Sequence, residues 1–457
     1  MFTYVRANNY MSLNNIYLNL KETKDKTKKL AVVYGENGCG KTNLIKSFFF
    51  LESLIHTFDI EKNENELTKF LKEKGDGEDI PPFFMELVNR NTLSNLFINS
   101  RTIDCNENTR LEFGFEIEGH EGRYIVEFND CIVYESLYYF TGKQSGIIFE
   151  VSRENIKNPK LAQLIFKSSK IKNEVKELIQ RYWGRHSVLS IVNDLKKKLN
   201  KEYISDNISN YLYDFLDMIR ETSISVVEAN SYTMVDSCKK INFISDLEKG
   251  DVSSENEWLL KNTENILNDF FTQTYSDIKK VSFVTEKKDD RINYRLVFYK
   301  TINGKVREIP VDKESTGTRQ VIKVLRSLFG AFCGCTVIID EVDNGVHDLL
   351  LKVIIDSMKD YITGQLIFTT HNTSLLDSLD PKSVYIINSS YDGSKEIVCL
   401  SDYKLQDHNS PRARYMKGLY GGIPFVDSVD YIEIINNLKM KEAKNTRWER
   451  QITLSVP

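Results

Sequence analysis

Apolar residues recur along the chain with two different periods. Leu30–Tyr34 is an unbroken apolar run that reads as a buried strand, and it leads into a glycine-rich segment. Leu44, Ile45, Phe48, Phe49 and Leu51 then fall on a helical stripe. Residues 60–105 are polar and carry Gly75, Gly77, Pro81 and Pro82, which predicts an irregular insertion. Further on the period drops to two. Leu111, Phe113, Phe115 and Ile117 alternate with other residues, as do Tyr124, Val126 and Phe128. With Gly119–Gly122 between them they predict an antiparallel hairpin, extended by Ile132–Phe140.

Residues 157–220 return to helical spacing. Ile171, Val175, Leu178 and Ile179 share a face, as do Val188, Ile191, Leu195 and Leu199, and then Ile208, Leu212, Phe215 and Ile219. No heptad is sustained, so a compact helical insertion is expected and not a long coiled coil. Residues 255–275 predict another helix, and Val281–Thr285 and Arg291–Tyr299 predict strands. From Thr318 to Phe368 the order is helix, strand, helix, strand, the pattern of an α/β layer.

Composition changes this picture little. The 457 residues are 41% hydrophobic and 28% charged with a net charge of −4, an ordinary globular balance that argues against a basic nucleic-acid coat protein. The longest uncharged apolar-rich run, Ser327–Ile339, is too short for the roughly 20 residues that a bilayer requires. Polar residues interrupt the first twenty positions, so no secretory signal is expected. The seven cysteines are scattered with no Cys-x-x-Cys pair, which argues against a disulfide framework or zinc site and for a reducing cytoplasm, with no membrane partner.

Chemistry enters at Gly35-Glu36-Asn37-Gly38-Cys39-Gly40-Lys41-Thr42, which fits G-x-x-x-x-G-K-[ST] between a strand and a helix. Glycines let the backbone N–H groups of Asn37, Gly38, Cys39 and Gly40 converge on phosphate oxygens at a helix N-terminus. Lys41 would reach the β- and γ-phosphates of ATP, and Thr42 would ligate Mg²⁺. Val337-Ile338-Ile339-Asp340-Glu341 is a strand that delivers two acids. Asp340 is expected to hold Mg²⁺ and Glu341 to polarise the attacking water. Ser315-Thr316-Gly317 opens a helix with Ser315 as N-cap, again presenting a hydroxyl and free N–H groups. His371 follows the strand Leu366–Thr369 and is expected to sense the γ-phosphate.

These four elements in this order resemble the ABC-type ATPase heads of the SMC and OLD-like families. Ser315-Thr316-Gly317 resembles a degenerate LSGGQ signature, with Thr316 and Thr318 replacing a glycine and the glutamine. Asp340-Glu341-Val342-Asp343-Asn344-Gly345-Val346-His347 resembles the form of Walker B and D-loop in which a histidine takes the D-loop aspartate position. Arg414-Tyr415-Met416-Lys417-Gly418-Leu419-Tyr420-Gly421-Gly422-Ile423-Pro424 is similar to a segment of stand-alone bacterial ATPases of abortive-infection and other phage-defence systems, AbiL- and PARIS-type among them. Asn9-Tyr10-Met11-Ser12 resembles a turn that packs near the nucleotide in such heads.

The resemblance implies a P-loop ABC-type head of mixed sheet and antiparallel hairpins, with a helical insertion. It would comprise an N-terminal ATPase lobe over residues 1–150, a helical insertion over 151–278, a C-terminal ATPase lobe over 279–425, and a C-terminal helix and tail over 426–457. It further implies that Ser315 and Gly317 meet ATP held at Lys41 of a second subunit, in a homodimer or higher homo-oligomer. A separate nuclease-like effector and a phage protein or nucleic acid as trigger are the expected partners. The alternative is an SMC-like ATPase that repairs or organises DNA. Gln144 is the candidate Q-loop residue.

Two other features point elsewhere. Lys157–Lys201 carries twelve Lys or Arg against Glu174, Glu177 and Asp194, either a solvated helix face or a surface for acidic partners. Arg181 and His186 have the bare R-x₄-H spacing of HEPN-type ribonucleases, although Gly184 breaks the helix that such a pair needs.

Overall fold

A computed structural model describes residues 1–73, 92–141, 144–403 short of 164, 201, 202, 204, 205, 229, 230, 236, 237 and 239, then 410–423, and 431–438 short of 433 and 437. The chain divides into two units, Met1–Gly422 and Ile423–Pro457. In the second, the described residues from 431 to 438 are helical.

In the first unit the chain opens with β1 (Phe2–Asn8), β2 (Ile16–Asn19), β3 (Lys21–Thr23), β4 (Lys26–Thr27) and β5 (Leu30–Gly35), then α1 (Lys41–Ile55), α2 (Thr57–Glu73) and α3 (Leu93–Ile98). An antiparallel run follows: β6 (Thr109–Ile117), β7 (His120–Phe128), β8 (Ile132–Thr141), β9 (Gln144–Ser152) and β10 (Lys160–Leu161). The helices α4 (Ser169–Tyr182), α5 (Val188–Lys198) and α6 (Asn210–Arg220) lead to β11 (Ser223–Glu228), β12 (Ser231–Val235) and β13 (Lys249–Ser253). Then come α7 (Glu257–Thr274), β14 (Ile278–Lys288), β15 (Arg291–Ile302), β16 (Lys305–Pro310), α8 (Thr316–Phe332), β17 (Thr336–Ile339), α9 (Asp348–Met358), β18 (Gln365–Thr369), β19 (Val384–Ser389), β20 (Lys395–Cys399) and α10 (Pro411–Met416).

Two seven-stranded sheets carry the fold. One is antiparallel throughout, in the order β10-β9-β8-β7-β6-β1-β2. The other runs β12-β11-β17-β18-β5-β19-β20; its five inner strands are parallel and its two edges antiparallel. All six residues of β5 are buried, as expected of a parallel strand covered on both faces. Helix α1 is apolar nearly all round because it touches both layers. Phe48 packs on Phe2 and Phe113, Phe50 stacks on Phe128, and Leu44, Ile45, Leu51, Leu54 and Ile55 are buried with them. Gln365, fully buried at the start of β18, fastens the sheets together. Its amide accepts from Phe2 N–H and donates to the carbonyls of Phe2 and Lys28. A smaller antiparallel sheet of β13, β14, β15 and β16 is backed by α7.

Three expectations change here. Residues 57–73 form a helix, not an irregular stretch, with Asp59 in its favourable first turn; 74–91 lie outside the described residues. Within 151–278, β11 is a strand of the parallel sheet and pairs with β17. The helices α4, α5 and α6 also share one core with α1, through Ile171, Val175, Val188, Ile191, Leu212 and Phe215. Cys238 and Cys335 form a disulfide with their Cα atoms 6.0 Å apart. They are 97 residues apart in sequence, so spacing gave no sign of the pair.

Glu135 shows how tightly α5 is joined to the antiparallel sheet. Fully buried on β8, it accepts from Tyr124 Oη, Trp183 Nε1 and the N–H of Val188. Burial pushes its carboxyl up to about 7 against the pull of those donors. The folded state therefore binds this proton more tightly than the unfolded state. The associated stability is present below the unfolded pKa near 4.5 and is lost as pH rises through about 7. Glu135→Gln cannot ionise and should remove about 3 kcal/mol of pH-dependent stability. Denaturation midpoints of both proteins across that pH range check this.

Candidate functional site

The sheet places the candidate residues before any side chain is considered. β18 lies between β5 and β17, so three neighbouring parallel strands end at one edge. Register aligns Thr369 with Val33, and Phe368 with Ile339. The turn after β5, the acids after β17 and the histidine after β18 thus emerge side by side.

From Gly35 to Thr42 the chain turns from strand into α1. Gly38 and Gly40 have φ of 82° and 105°, a left-handed backbone that L side chains rarely adopt. A Cβ at Gly35 would lie 2.5 Å from Cys39 Sγ and 2.9 Å from the Ile387 carbonyl, so the turn packs too closely for a side chain. Lys41 is buried, and its Nζ spans the loop to the carbonyls of Gly35 at 2.9 Å and Glu36 at 3.0 Å. Asn37 and Gly38 are exposed at the mouth of the loop, and Cys39 is buried beneath it.

Asp340 is 1% exposed. Its Oδ1 accepts from Thr369 Oγ1 at 2.7 Å, and the same hydroxyl oxygen accepts the Glu341 N–H at 2.7 Å. Thr369 therefore ties both acids to the neighbouring strand. Burial raises the Asp340 pKa, and Thr369, Thr42 and Lys41 pull against it. Asp340 Oδ2 is buried without a hydrogen-bond partner of normal length while the Thr42 hydroxyl faces the same carboxylate. A buried, unpaired carboxylate oxygen beside a hydroxyl fits a small hard cation such as Mg²⁺. Glu341 sits at φ 47°, a strained conformation for a glutamate that is held by the bond from its N–H to Thr369.

His371 is exposed just past β18, and its N–H donates to Asp343 Oδ2 at 2.9 Å. Burial of part of its ring and the Lys41 charge lower its pKa, against Asp343, Glu341 and Asp340. The loop is pinned from both sides: Tyr34 Oη donates to the Asn372 carbonyl, and Asn372 Nδ2 donates to the Asp348 carbonyl.

Ser315 caps α8 by accepting the Thr318 N–H at 3.1 Å. A Cβ at Gly317 would lie 2.8 Å from the Gly345 carbonyl, so this helix start packs on the turn after Glu341. Ser315 bonds Glu314 and Thr318 and, among the described residues, not its own chain's phosphate loop. Gln144 opens β9 in the antiparallel sheet. Thr369 and Asp343 stand in the quoted segments without a role, because their bonds to Asp340, Glu341 and His371 arise from the pairing of distant strands.

The two further features resolve structurally. His186 is buried, stacks on Phe58 at 3.9 Å and meets Glu61 at 3.0 Å, a packing role. Of the basic stretch, Lys160, Arg185, Lys196 and Lys197 pair with Glu150, Glu61, Asp217 and Asp59, all outside it. A cavity of about 1110 Å³ lies along α1 and α2 between Tyr10, Lys46, Phe49, His56, Asp59 and Thr92, and no residue of the phosphate loop lines it.

Strand, glycine loop, helix and two acids that follow a parallel strand of the same sheet, one strand removed, define a P-loop ATPase domain. Residues 30–377 match the family described as "AAA domain, putative AbiEii toxin, Type IV TA system", and the chain belongs to this family. Among solved structures, the chain is similar to the SMC head domain from Thermotoga maritima, at 10% identity and a TM-score of 0.36, over 87% of this chain and 98% of that one. It is also similar to an SMC head bound to the C-winged helix domain of ScpA, at 11% identity and a TM-score of 0.39, over 87% and 96%. No curated protein matches. Among the described residues, no helix is long and apolar enough to cross a membrane.

Two outcomes are expected. Thr369→Val leaves Asp340 and the Glu341 N–H short of a partner and should cost about 1–3 kcal/mol in denaturant titrations, with Thr369→Ser close to wild type. In NMR titrations of the free protein, His371 should protonate below its ordinary 6.5, and Lys41→Ala should move the midpoint upward.

Proposed function

We propose that this chain is a Mg²⁺-dependent ATPase whose copies close on shared ATP, and that it is the sensor or regulatory subunit of an anti-phage defence system that controls a separate effector. The observation that carries the enzymatic part is the Thr369 bridge, which holds Asp340 and Glu341 at the edge where Lys41 and Thr42 begin their helix.

Lys41 and the loop N–H groups would bind the β- and γ-phosphates, and Thr42 and Asp340 would hold Mg²⁺, which screens the phosphate charge. Glu341 would accept the proton of a water as its oxygen bonds to the γ-phosphorus and the bond to the β-bridging oxygen breaks. His371, neutral at pH 7 because Lys41 and burial lower its pKa, would donate an N–H to the γ-phosphate. Glu341→Gln should bind MgATP and lose turnover by about 10²–10³. Lys41→Ala should lose about 100-fold in MgATP affinity. Nucleotide titration and phosphate release measure both.

Sharing between copies is supported by the α8 start, which packs on Gly345 and, among the described residues, bonds none of its own phosphate loop. Mixing Lys41→Ala with Ser315→Arg subunits should restore one competent composite site per dimer. Activity no higher than either variant alone would argue for a site within one chain. The defence role is supported by the family description and by the Arg414–Gly422 segment, which packs on the phosphate loop. Tyr415 meets Tyr34 edge-on, and a Cβ at Gly422 would lie 3.5 Å from the Gly35 Cα. Expressed without a partner, the chain should neither arrest growth nor cleave nucleic acid. Toxicity of the lone chain would contradict a separate effector.

A further inference from the structure

A second lysine stands at the phosphate loop. Lys395, the first residue of edge strand β20, places its Nζ 2.7 Å from Ser12 Oγ and 3.3 Å from the Gly38 carbonyl. A Cβ at Gly40 would lie 3.3 Å from that Nζ and 3.2 Å from Ser12 Oγ, so the ammonium rests over the bend that starts α1. Two positive features therefore converge, the helix N-terminus and the ammonium.

The ammonium is short of an anion. Its two acceptors are neutral oxygens, which leaves one of its three N–H bonds, and among the described residues it forms no salt bridge. Partial burial lowers its pKa, with Glu36 and Cys39 pulling the other way. Its place along the loop identifies which phosphate it can meet. Lys41 is tied to Gly35 and Glu36 and serves the β/γ end. Lys395 shares Ser12 with Asn43, whose Nδ2 donates to Ser12 Oγ at 2.7 Å, and Asn43 is the residue after Thr42. The loop of such a motif cradles the α- and β-phosphates, and with Lys41 given to the β/γ end the α-phosphate is the one left for Lys395.

We propose that Lys395 is a nucleotide-binding residue, supplied by the β19–β20 hairpin, whose ammonium holds the α-phosphate with Ser12 and Asn43 as its support. This rests on the reading of the site as an ATP site. The test is equilibrium titration of MgATP and MgADP against wild type, Lys395→Gln and Lys395→Arg. Both nucleotides carry the α-phosphate, so Lys395→Gln should weaken both alike, by about tenfold, the scale of one charge-assisted hydrogen bond. Lys395→Arg keeps the charge and should bind within about threefold of wild type. Unchanged affinity in Lys395→Gln overturns the proposal, as does weakening of MgATP alone, which would place the lysine at the γ-phosphate. An equal loss in Lys395→Arg overturns it too, because hairpin packing and not charge would then be the cause. If wild type binds neither nucleotide, the ATP reading itself falls; wild-type binding with an unaffected Lys395→Gln overturns this inference alone.

Discussion

The site depends on the parallel pairing of β17, β18 and β5. Their hydrogen-bonded register sets Thr369 beside both Val33 and Asp340, so three segments far apart in sequence end at one edge. A slip of one residue would turn Thr369 to the other face of the sheet and leave Asp340 buried without its donor. The apolar runs before each motif are thus part of the chemistry. They fix the depth of β5, β17 and β18 and hence the height at which Lys41, Asp340 and His371 emerge.

The same edge is held from outside. The antiparallel sheet grips α1 through Phe2, Phe113 and Phe128, and Gln365 joins the two sheets at the far end of β18. The helices α4–α6 extend that core instead of forming a separate lobe, with Glu135 buried at their junction. Tyr34, Asn372 and Asp343 fix the loop around His371. At this edge Ser315 at the start of α8, the turn at Asn344 and Gly345, and His371 remain exposed.

Much of this was legible in the sequence where the chemistry is local. The glycine loop, the strand into Asp340-Glu341, the Ser315 cap and the hairpins of residues 111–140 all follow from contiguous spacing. The parts that depend on distant pairing were hidden. Thr369 reads as the end of a strand, and Lys395 as an edge lysine. β11 reads as the tail of a helical stretch, because its two buried apolar side chains, Ile224 and Val226, alternate with serine and valine over only six residues. The Cys238–Cys335 pair was missed for the same reason. Charge counting sees only local sequence: Lys196 and Lys197 of α5 stand in a basic run, and the fold brings Asp217 and Asp59 against them.

The central claim is that Asp340, raised at the sheet edge and tied to Thr369, completes a cation site with Thr42. The most direct test is the Mg²⁺ dependence of ATP affinity in wild type and in Asp340→Asn. Asparagine keeps the bond from Thr369 but removes the charge of the unpaired oxygen. Mg²⁺ should strengthen ATP binding to the wild type by about tenfold or more and should leave Asp340→Asn little changed. Equal Mg²⁺ enhancement in the two proteins would contradict the account.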